Sequence, residues 1–474
     1  MSDSFAALFE ECRGAFHDRR VFERARVLAQ ASILSLGRRT VAGTLTACGR
    51  LFEDWSATYR VFERERFDAD SLFATPRRAA VRSLPPRAPV VVVMDDTLVP
   101  KRDRNVVGAA WRHDSRGPAF QHQIVWSQRV LQISAILPSQ SPAAQGARAI
   151  PIDLQLQTVV PKPRKPDAEH KAHWRKEKRR YALPALGARR IHHLRNQLDA
   201  DGENNRLLVT AFDGGYTNKA NFRDIPERTV LVGRIRKDAK LFAVPPEQPK
   251  GRGRRRLYGQ ELAKPEALLR DESIEWKKTR LFAAGKMRQF QYKTVGPCRW
   301  QGAGGRDLRL VLVRPLSATP RDKGRRLFFA NPGYLLCSDP KLPIKTIVQA
   351  YLWRWEIEVG FREQKTQLGL GEAQVRTLPA VKSVLAFQAC LYALLLLAAQ
   401  RSNLQCPPRP KWQRPANCSK RITLGQMIAI MRTDLWGRAL GVANKRDFNV
   451  RRPPGTKSPK IADSLDSAVI YAMR

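Results

Sequence analysis

Two uninterrupted apolar runs, each ending in an acid, constrain the fold of this chain more than any other feature. Residues 90–94 read Val-Val-Val-Val-Met and are followed by Asp95 and Asp96. Residues 206–212 read Arg-Leu-Leu-Val-Thr-Ala-Phe and are followed by Asp213. Runs of this kind are typical of strands buried on both faces, as in sheets covered by helices on each side. The sequence therefore predicts an α/β fold with acids at the ends of two central strands.

The charge balance indicates a polyanionic partner. Lys and Arg total 85 against 43 Asp and Glu, so the formal net charge of the 474 residues is +42. A surface this basic repels itself unless a polyanion is bound, and a nucleic-acid backbone is the usual one. A ribosome-associated protein, or a genome biased toward Arg codons, would show the same composition.

Cysteine usage and the N-terminus predict a cytoplasmic protein. The seven cysteines are odd in number and form no C-x-x-C pair, which argues against a disulfide framework and a zinc knuckle. The first residues lack the basic start and apolar run of a signal peptide. The apolar stretch at residues 383–399 is at the short limit for crossing a bilayer and contains Gln388. We interpret it as a buried core helix, and no membrane association is expected.

Periodicity and composition divide the chain into five parts. We expect a helical N-terminal region, the first part of an α/β core, a β-rich insertion, a second part of the core, and a basic C-terminal tail, at residues 1–85, 86–235, 236–342, 343–400 and 401–474. Strands are predicted near residues 106–112, 123–136 and 229–235, in addition to the two apolar runs. A strongly basic stretch at residues 161–180 leads into a helix, and another helix is predicted from Ile344 to about Gly369.

The two strand-end acids are open to two interpretations. Carboxylates that point from adjacent strands into one pocket repel each other, and a divalent cation relieves that repulsion. Mg²⁺ accepts oxygen ligands from one or two carboxylates, with water and phosphate completing its octahedron. Alternatively, both acids serve turns, because Asp96-Thr97 and Asp213-Gly214-Gly215 are turn-like sequences. The acids alone do not decide between a metal site and two turns.

Polar residues on the helix after Ile344 favour the metal site. At about 100° per residue, Tyr351, Arg354, Glu358 and Lys365 fall within an arc of roughly 60° on a continuous helix. Such a face suits a phosphate backbone: Arg354 and Lys365 bind phosphate oxygens, Tyr351 donates a hydrogen bond, and Glu358 supplies a metal ligand. The alternative is a solvated helix with an Arg354–Glu358 pair. Bulky apolar residues on several faces argue against full solvation: Trp353, Trp355, Ile357 and Phe361.

The spacing Tyr, two residues, Arg, three residues, Glu, six residues, Lys resembles the signature of cut-and-paste insertion-sequence transposases of the DDE class. The Asp-Asp-Thr at residues 95–97 and the Asp-Gly-Gly-Tyr-Thr at residues 213–217 resemble the first two acids of that family. Together these motifs span residues 88–400. The resemblance implies a ribonuclease-H-like mixed sheet flanked by helices, with a β-rich insertion before the last catalytic helix.

The resemblance also implies roles for individual residues. Asp96, Asp213 and Glu358 would be the catalytic acids and would bind two Mg²⁺ ions, for which Mn²⁺ can substitute. The residues that would hold DNA near the cleaved end are Tyr351, Arg354 and Lys365.

Two assignments keep an alternative. Asp95 is a rival for the first acid; we prefer Asp96 because it directly precedes Thr97 and lies nearer the end of the strand. Trp300 is a candidate for stacking a flipped base by its location alone, and a place in the core is the alternative.

The function implied by the resemblance is DNA transposition. The protein would bind the inverted repeats at the ends of an insertion sequence through residues 1–85, cleave the DNA, and join the freed 3′ end to target DNA. It would act on double-stranded DNA as a homodimer, because two ends must be brought together. Two alternatives remain open at this point. One is a catalytically inactive, domesticated DNA-binding relative, and the other is a nuclease of the same fold without strand transfer.

Overall fold

A computed structural model describes residues 1–47, 54–114, 120, 122–139, 146–164, 167–246, 256–283, 285–318, 327–328, 331–404 and 421–439. Most of the predicted C-terminal tail and most of the Gly/Arg-rich segment 250–256 lie outside these residues.

In the described part of the chain, six α-helices precede the first strand, and strands and helices are interspersed after it. The helices are α1 (Ser2–Glu10), α2 (Arg19–Leu34), α3 (Val41–Ala47), α4 (Ser56–Glu63), α5 (Ala69–Leu72), α6 (Ala74–Arg82), α7 (Ala168–Arg180), α8 (Leu183–Ala200), α9 (Lys219–Phe222), α10 (Pro265–Arg270), α11 (Ile344–Trp353), α12 (Trp355–Gln367), α13 (Leu378–Arg401) and α14 (Leu424–Ala439). The strands are β1 (Val90–Pro100), β2 (Ala110–His113), β3 (Ile124–Pro138), β4 (Ala147–Leu156), β5 (Leu208–Phe212), β6 (Thr229–Arg234), β7 (Phe242–Ala243), β8 (Lys277–Ala283), β9 (Lys286–Arg299), β10 (Leu308–Val313), β11 (Ser317–Ala318), β12 (Leu327–Phe328) and β13 (Gly333–Cys337).

A mixed sheet forms the centre of the molecule. Its middle strands follow the order β4–β3–β1–β5–β6. β1 runs parallel to β5 and antiparallel to β3, and β5 runs parallel to β6. With helices on both faces, this sheet fits the ribonuclease-H-like fold that the sequence motifs imply.

The two faces of β1 explain its unbroken apolar sequence. Val90, Val92 and Met94 belong to a core that includes residues of α8, α13 and the N-terminal helices. Val91 and Val93 belong to a second core that includes residues of α11 and α12. Because side chains alternate along a strand, consecutive residues of β1 face different helices. The prediction of a strand buried on both sides is confirmed.

Residues 236–342 are rich in strands, as expected, but most of these strands extend the central sheet. β13 pairs with β6, and the sheet continues through β10 and β9 to β7. The predicted strand at residues 106–112 begins later, since β2 starts at Ala110.

The apolar helix α13 is a core helix. It is long and apolar enough to cross a membrane, yet 94% of its most apolar window is buried inside the fold. The Phe387 ring on α13 lies 5.4–6.4 Å from the rings of Phe9, Phe62 and Phe67, measured between centroids. The N-terminal helices therefore pack directly on α13.

The region predicted as a basic tail contains a folded helix. α14 packs against α1, α2 and α13, and its Asp434 accepts a 3.1 Å hydrogen bond from the backbone N–H of Ser2. Residues 421–439 are thus part of the fold, which corrects the expectation of a tail for this segment. The periodicity of a short helix after a Pro-rich stretch was not recognised in the sequence.

Candidate active site

The predicted acids meet at one edge of the sheet. β1 and β5 are parallel and pair as far as Met94 and Phe212, so Asp95 and Asp96 of β1 lie beside Asp213, which follows β5. β1 itself continues to Pro100, so the strand does not end at its acids as the sequence predicted. A cavity of about 1100 Å³ opens at this edge and is lined by Asp95, Asp213 and Glu358. The arrangement brings two neighbouring strands and one helix to a common site, as expected for this kind of sheet.

Asp95 lies on the face of β1 that α11 and α12 cover. Its side chain is 16% exposed and is 3.3 Å from the guanidinium Nη1 of Arg354. Burial, followed by the negative charges of Asp213 and Asp96, raises the pKa of Asp95 to about 7. The backbone N–H of Asp96, which donates a 2.8 Å hydrogen bond to Asp95 Oδ1, and the charge of Arg354 only partly offset this rise in the pKa of Asp95. A bound divalent cation would relieve the remaining repulsion.

Asp96 lies on the opposite face of β1, because neighbouring side chains on a strand alternate. The Tyr216 hydroxyl donates a 2.7 Å hydrogen bond to Asp96 Oδ1, and Arg129 Nε is 3.4 Å from Asp96 Oδ2. Burial raises the pKa of Asp96, while Tyr216 and Arg129 act against that shift. Asp96 thus has protein partners of its own, although it also lines a smaller cavity with Glu358.

Asp213 combines the two interpretations left open by its sequence. Its Oδ1 accepts a 2.8 Å hydrogen bond from the backbone N–H of Gly215, which is a turn contact. Its side chain also lines the cavity with Asp95 and Glu358. The hydrogen bond within the turn holds the Asp213 carboxylate at the end of β5, where it faces the cavity.

Helical structure covers residues 344–367, close to the predicted range from Ile344 to about Gly369, with a tighter turn at Arg354, whose φ and ψ remain helical. α11 ends at Trp353 and α12 begins at Trp355. Arg354 between them reaches both Asp95, at 3.3 Å, and Glu358, at 2.8 Å, through the same Nη1. The guanidinium therefore bridges two of the carboxylates.

Arg354 has an unused hydrogen-bond donor. Its Nε is buried and has no hydrogen-bond partner among the described residues. A buried N–H without an acceptor is costly, and a phosphate oxygen is a suitable acceptor for it.

Lys365 and Tyr351 lie on either side of this centre. Lys365 Nζ donates to Thr97 Oγ1 at 2.6 Å and to the Leu98 carbonyl at 2.7 Å, so it fastens α12 to β1. It also lines a second cavity of about 530 Å³ that reaches Asp95, Asp96 and Glu358. Tyr351 lines the larger cavity with Arg354, whose guanidinium carbon is 5.8 Å from the Tyr351 ring centre.

The carboxylates do not form a ready-made metal site in this conformation. Within the described part of the chain, no three His, Cys, Asp or Glu side chains are grouped closely enough to hold a metal ion. Asp95 and Glu358 are instead joined through Arg354. Movement of Arg354 toward a phosphate would free both acids.

Sequence reasoning missed two residues of the site. Tyr216 belongs to the Asp-Gly-Gly-Tyr-Thr motif, but nothing in that motif shows which acid it bonds. Arg129 had no sequence signal, because it reaches Asp96 only through the pairing of β3 with β1. Trp300 lines the larger cavity and packs edge to face on Phe222, with 5.6 Å between ring centres.

Comparison with known protein families identifies the family to which the chain belongs. A family model described as "DDE superfamily endonuclease" matches residues 11–296, more than half of the chain. The matched segment contains Asp95, Asp96 and Asp213 and ends before Glu358. A search of curated proteins found no match.

Proposed function

Because this chain belongs to the DDE superfamily of endonucleases, which act on DNA, we propose that it is a transposase. In this proposal it binds the inverted repeats at the ends of an insertion sequence, cleaves DNA there, and transfers the freed strand to target DNA. The observation that carries the proposal is that Asp95, Asp213 and Glu358, from two strands and a helix, line one cavity beside Arg354.

The side chains present suit a divalent cation. Carboxylate oxygens are the ligands that Mg²⁺ prefers, and the raised pKa of Asp95 reflects carboxylates crowded in a largely buried site. Asp213, Glu358 and one acid of β1 would hold two Mg²⁺ ions, or Mn²⁺ in their place. When bound, such ions activate a water or hydroxyl nucleophile and stabilise the leaving oxygen of a phosphodiester.

The protein's own cations would position the DNA strand. Arg354 can offer its unpaired Nε–H, and Arg234 lines the same cavity. A phosphate bound there competes with Asp95 and Glu358 for the Arg354 guanidinium. DNA entry would therefore release the two carboxylates at the moment when they are needed. Tyr351 lies beside Arg354 and would orient it, while Lys365 would contact DNA only after giving up Thr97 or Leu98.

The geometry favours Asp95 as the acid of β1, whereas Asp96 was preferred from the sequence. Asp95 shares its face with Glu358, and Asp96 is engaged by Tyr216 and Arg129. We therefore expect Asp95→Asn to reduce metal-dependent cleavage at least about tenfold more than Asp96→Asn, because only the former removes a ligand charge. Cleavage rates at saturating Mg²⁺ measure this difference. If Asp96→Asn reduced cleavage more than Asp95→Asn, Asp96 would be the metal-binding acid of β1.

The proposed activity is tested with a supercoiled plasmid that carries the inverted repeats flanking the gene. We expect cleavage at the repeat ends with Mg²⁺ or Mn²⁺ and none with EDTA. A second substrate with a pre-cut 3′-OH end should be joined to target DNA. Cleavage without joining would instead indicate a nuclease of the same fold, and binding without cleavage would indicate an inactive relative. We also propose that the protein acts as a homodimer, which sedimentation of the DNA complex would show.

A further inference from the structure

Helix α7 stands out because it contributes nothing to either core. None of its thirteen residues is buried, and only Trp174 and Glu177 are partly buried. Helices of this length are marginal in water without packing of an apolar face. Surface exposure on this scale is expected for a helix whose partner is another molecule.

The cations of α7 are on its outward side. Trp174 and Glu177 mark the inward side, and Trp174 Nε1 is 3.4 Å from the Val160 carbonyl. At about 100° per residue, the cations on the other side span an arc of roughly 180°. These cations are Lys171, Arg175, Lys176, Arg179 and Arg180.

This charge pattern works against the free helix. Lys171, Arg175 and Arg179 follow one another at intervals of four residues, and like charges at that spacing destabilise a helix. No ion pair joins Arg175, Lys176 or Arg179 to an acid in the part of the chain that the structure describes. A row of phosphates would neutralise the repulsion between these cations and contact the exposed side of α7.

The position of α7 relates this surface to the active site. β4 is antiparallel to β3, as β1 is, so β4 and β1 end at the same edge of the sheet. Just beyond β4, Gln157 Nε2 donates to the Tyr181 carbonyl at the end of α7, at 3.3 Å. Gln157 Oε1 accepts from Arg112 Nη1 at 2.8 Å, and Arg112 is close enough to Asp96 for their charges to interact. These contacts place the C-terminal end of α7 beside the acids.

We propose that α7 is a second DNA-binding surface, which holds the duplex arm outside the cleavage site. The proposal rests on the proposed function, since the arm belongs to the duplex whose scissile phosphate enters the cavity. A helix of thirteen residues is about 20 Å long and 10–12 Å wide, dimensions that match a major groove about 12 Å wide. The contacts are to phosphates and are therefore independent of base sequence.

The test removes two outward cations and measures duplex binding in EDTA, so that its result does not depend on cleavage. Each phosphate contact contributes about 0.9 to the slope of log affinity against log salt. We expect Arg175→Gln/Arg179→Gln to lower that slope by up to about 1.8 and to weaken binding roughly tenfold to sixtyfold at 0.1 M salt. Fluorescence anisotropy with a labelled duplex gives both quantities.

Two matched variants make the result specific. Arg87→Gln/Lys341→Gln removes the same charge from exposed positions before β1 and after β13, at the opposite edge of the sheet, and should change affinity less than about threefold. Arg175→Lys/Arg179→Lys keeps the charge and should retain most of the affinity. Unchanged binding in the glutamine variant of α7, or equal weakening at both edges, would overturn the proposal. Circular dichroism checks that each variant keeps its helix content.

Discussion

Asp213→Asn and Glu358→Gln should each abolish metal-dependent DNA cleavage while leaving DNA binding intact. Each substitution removes the charge of one proposed metal ligand and keeps the side-chain shape. Metal ions contribute several kcal/mol to such reactions, and about 5 kcal/mol corresponds to a rate loss of several thousandfold. Binding should be unchanged or slightly tighter, because affinity depends on many phosphate contacts and a negative charge has been removed.

A carboxylate on the same helix provides the control for this experiment. Glu356 is two residues before Glu358 and accepts a 2.8 Å hydrogen bond from Arg421, away from the cavity. Glu356→Gln should keep cleavage within about threefold of the unmodified protein. Cleavage rates and duplex affinities are measured for all variants in parallel. If Glu358→Gln still cleaves, or if it loses binding and cleavage together, Glu358 has a structural role and not a catalytic one.

The second large effect is expected in the core. Phe387 is 4% exposed and contacts three aromatic rings of the N-terminal region. Phe387→Ala should destabilise the protein by about 3–5 kcal/mol, because the substitution removes buried apolar surface and leaves a cavity. The loss should also loosen the N-terminal helices from α13, since Phe387 lies between them. Denaturant unfolding gives the free energy of unfolding, and limited proteolysis reports detachment of the N-terminal region.

Phe120 is the matched residue for the core prediction. Its side chain is 88% exposed, so Phe120→Ala should change the free energy of unfolding by less than about 0.5 kcal/mol. Similar small effects in both variants would show that the N-terminal region does not depend on its contact with α13.

Strand and helix types could be predicted because they depend on local patterns. The β-branched run 90–94 marks a strand buried on both faces, and both core clusters do contain its side chains. The apolar stretch within α13 was correctly interpreted as a core helix for the same reason: a segment without a polar face is buried on all sides. Such local patterns do not show which strands pair with each other. The strands of residues 236–342 were expected in a separate insertion, yet β13 pairs with β6 of the core.

The contacts of Arg354 and Lys365 show why a helical pattern was insufficient at the site. Periodicity places Tyr351, Arg354, Glu358 and Lys365 on one face of an unbroken helix. In the structure the Arg354 guanidinium bonds Asp95, far away in sequence, as well as Glu358. Lys365 bonds Thr97 and Leu98 on β1. These contacts join distant segments, so no local pattern predicts them.

The sequence by itself determined the α/β class, the acids that follow two apolar runs and the basic character of the stretch that forms α7, because each follows from residue types at short spacing. Only the tertiary structure decided which side of β1 the Glu358 helix covers, and hence that Asp95 and not Asp96 shares the Arg354 guanidinium with Glu358. Alternation tells us that neighbouring side chains point to opposite faces of a strand, but packing of the whole chain selects the face. The same packing places α7 at the edge of the sheet where β1 carries its acids.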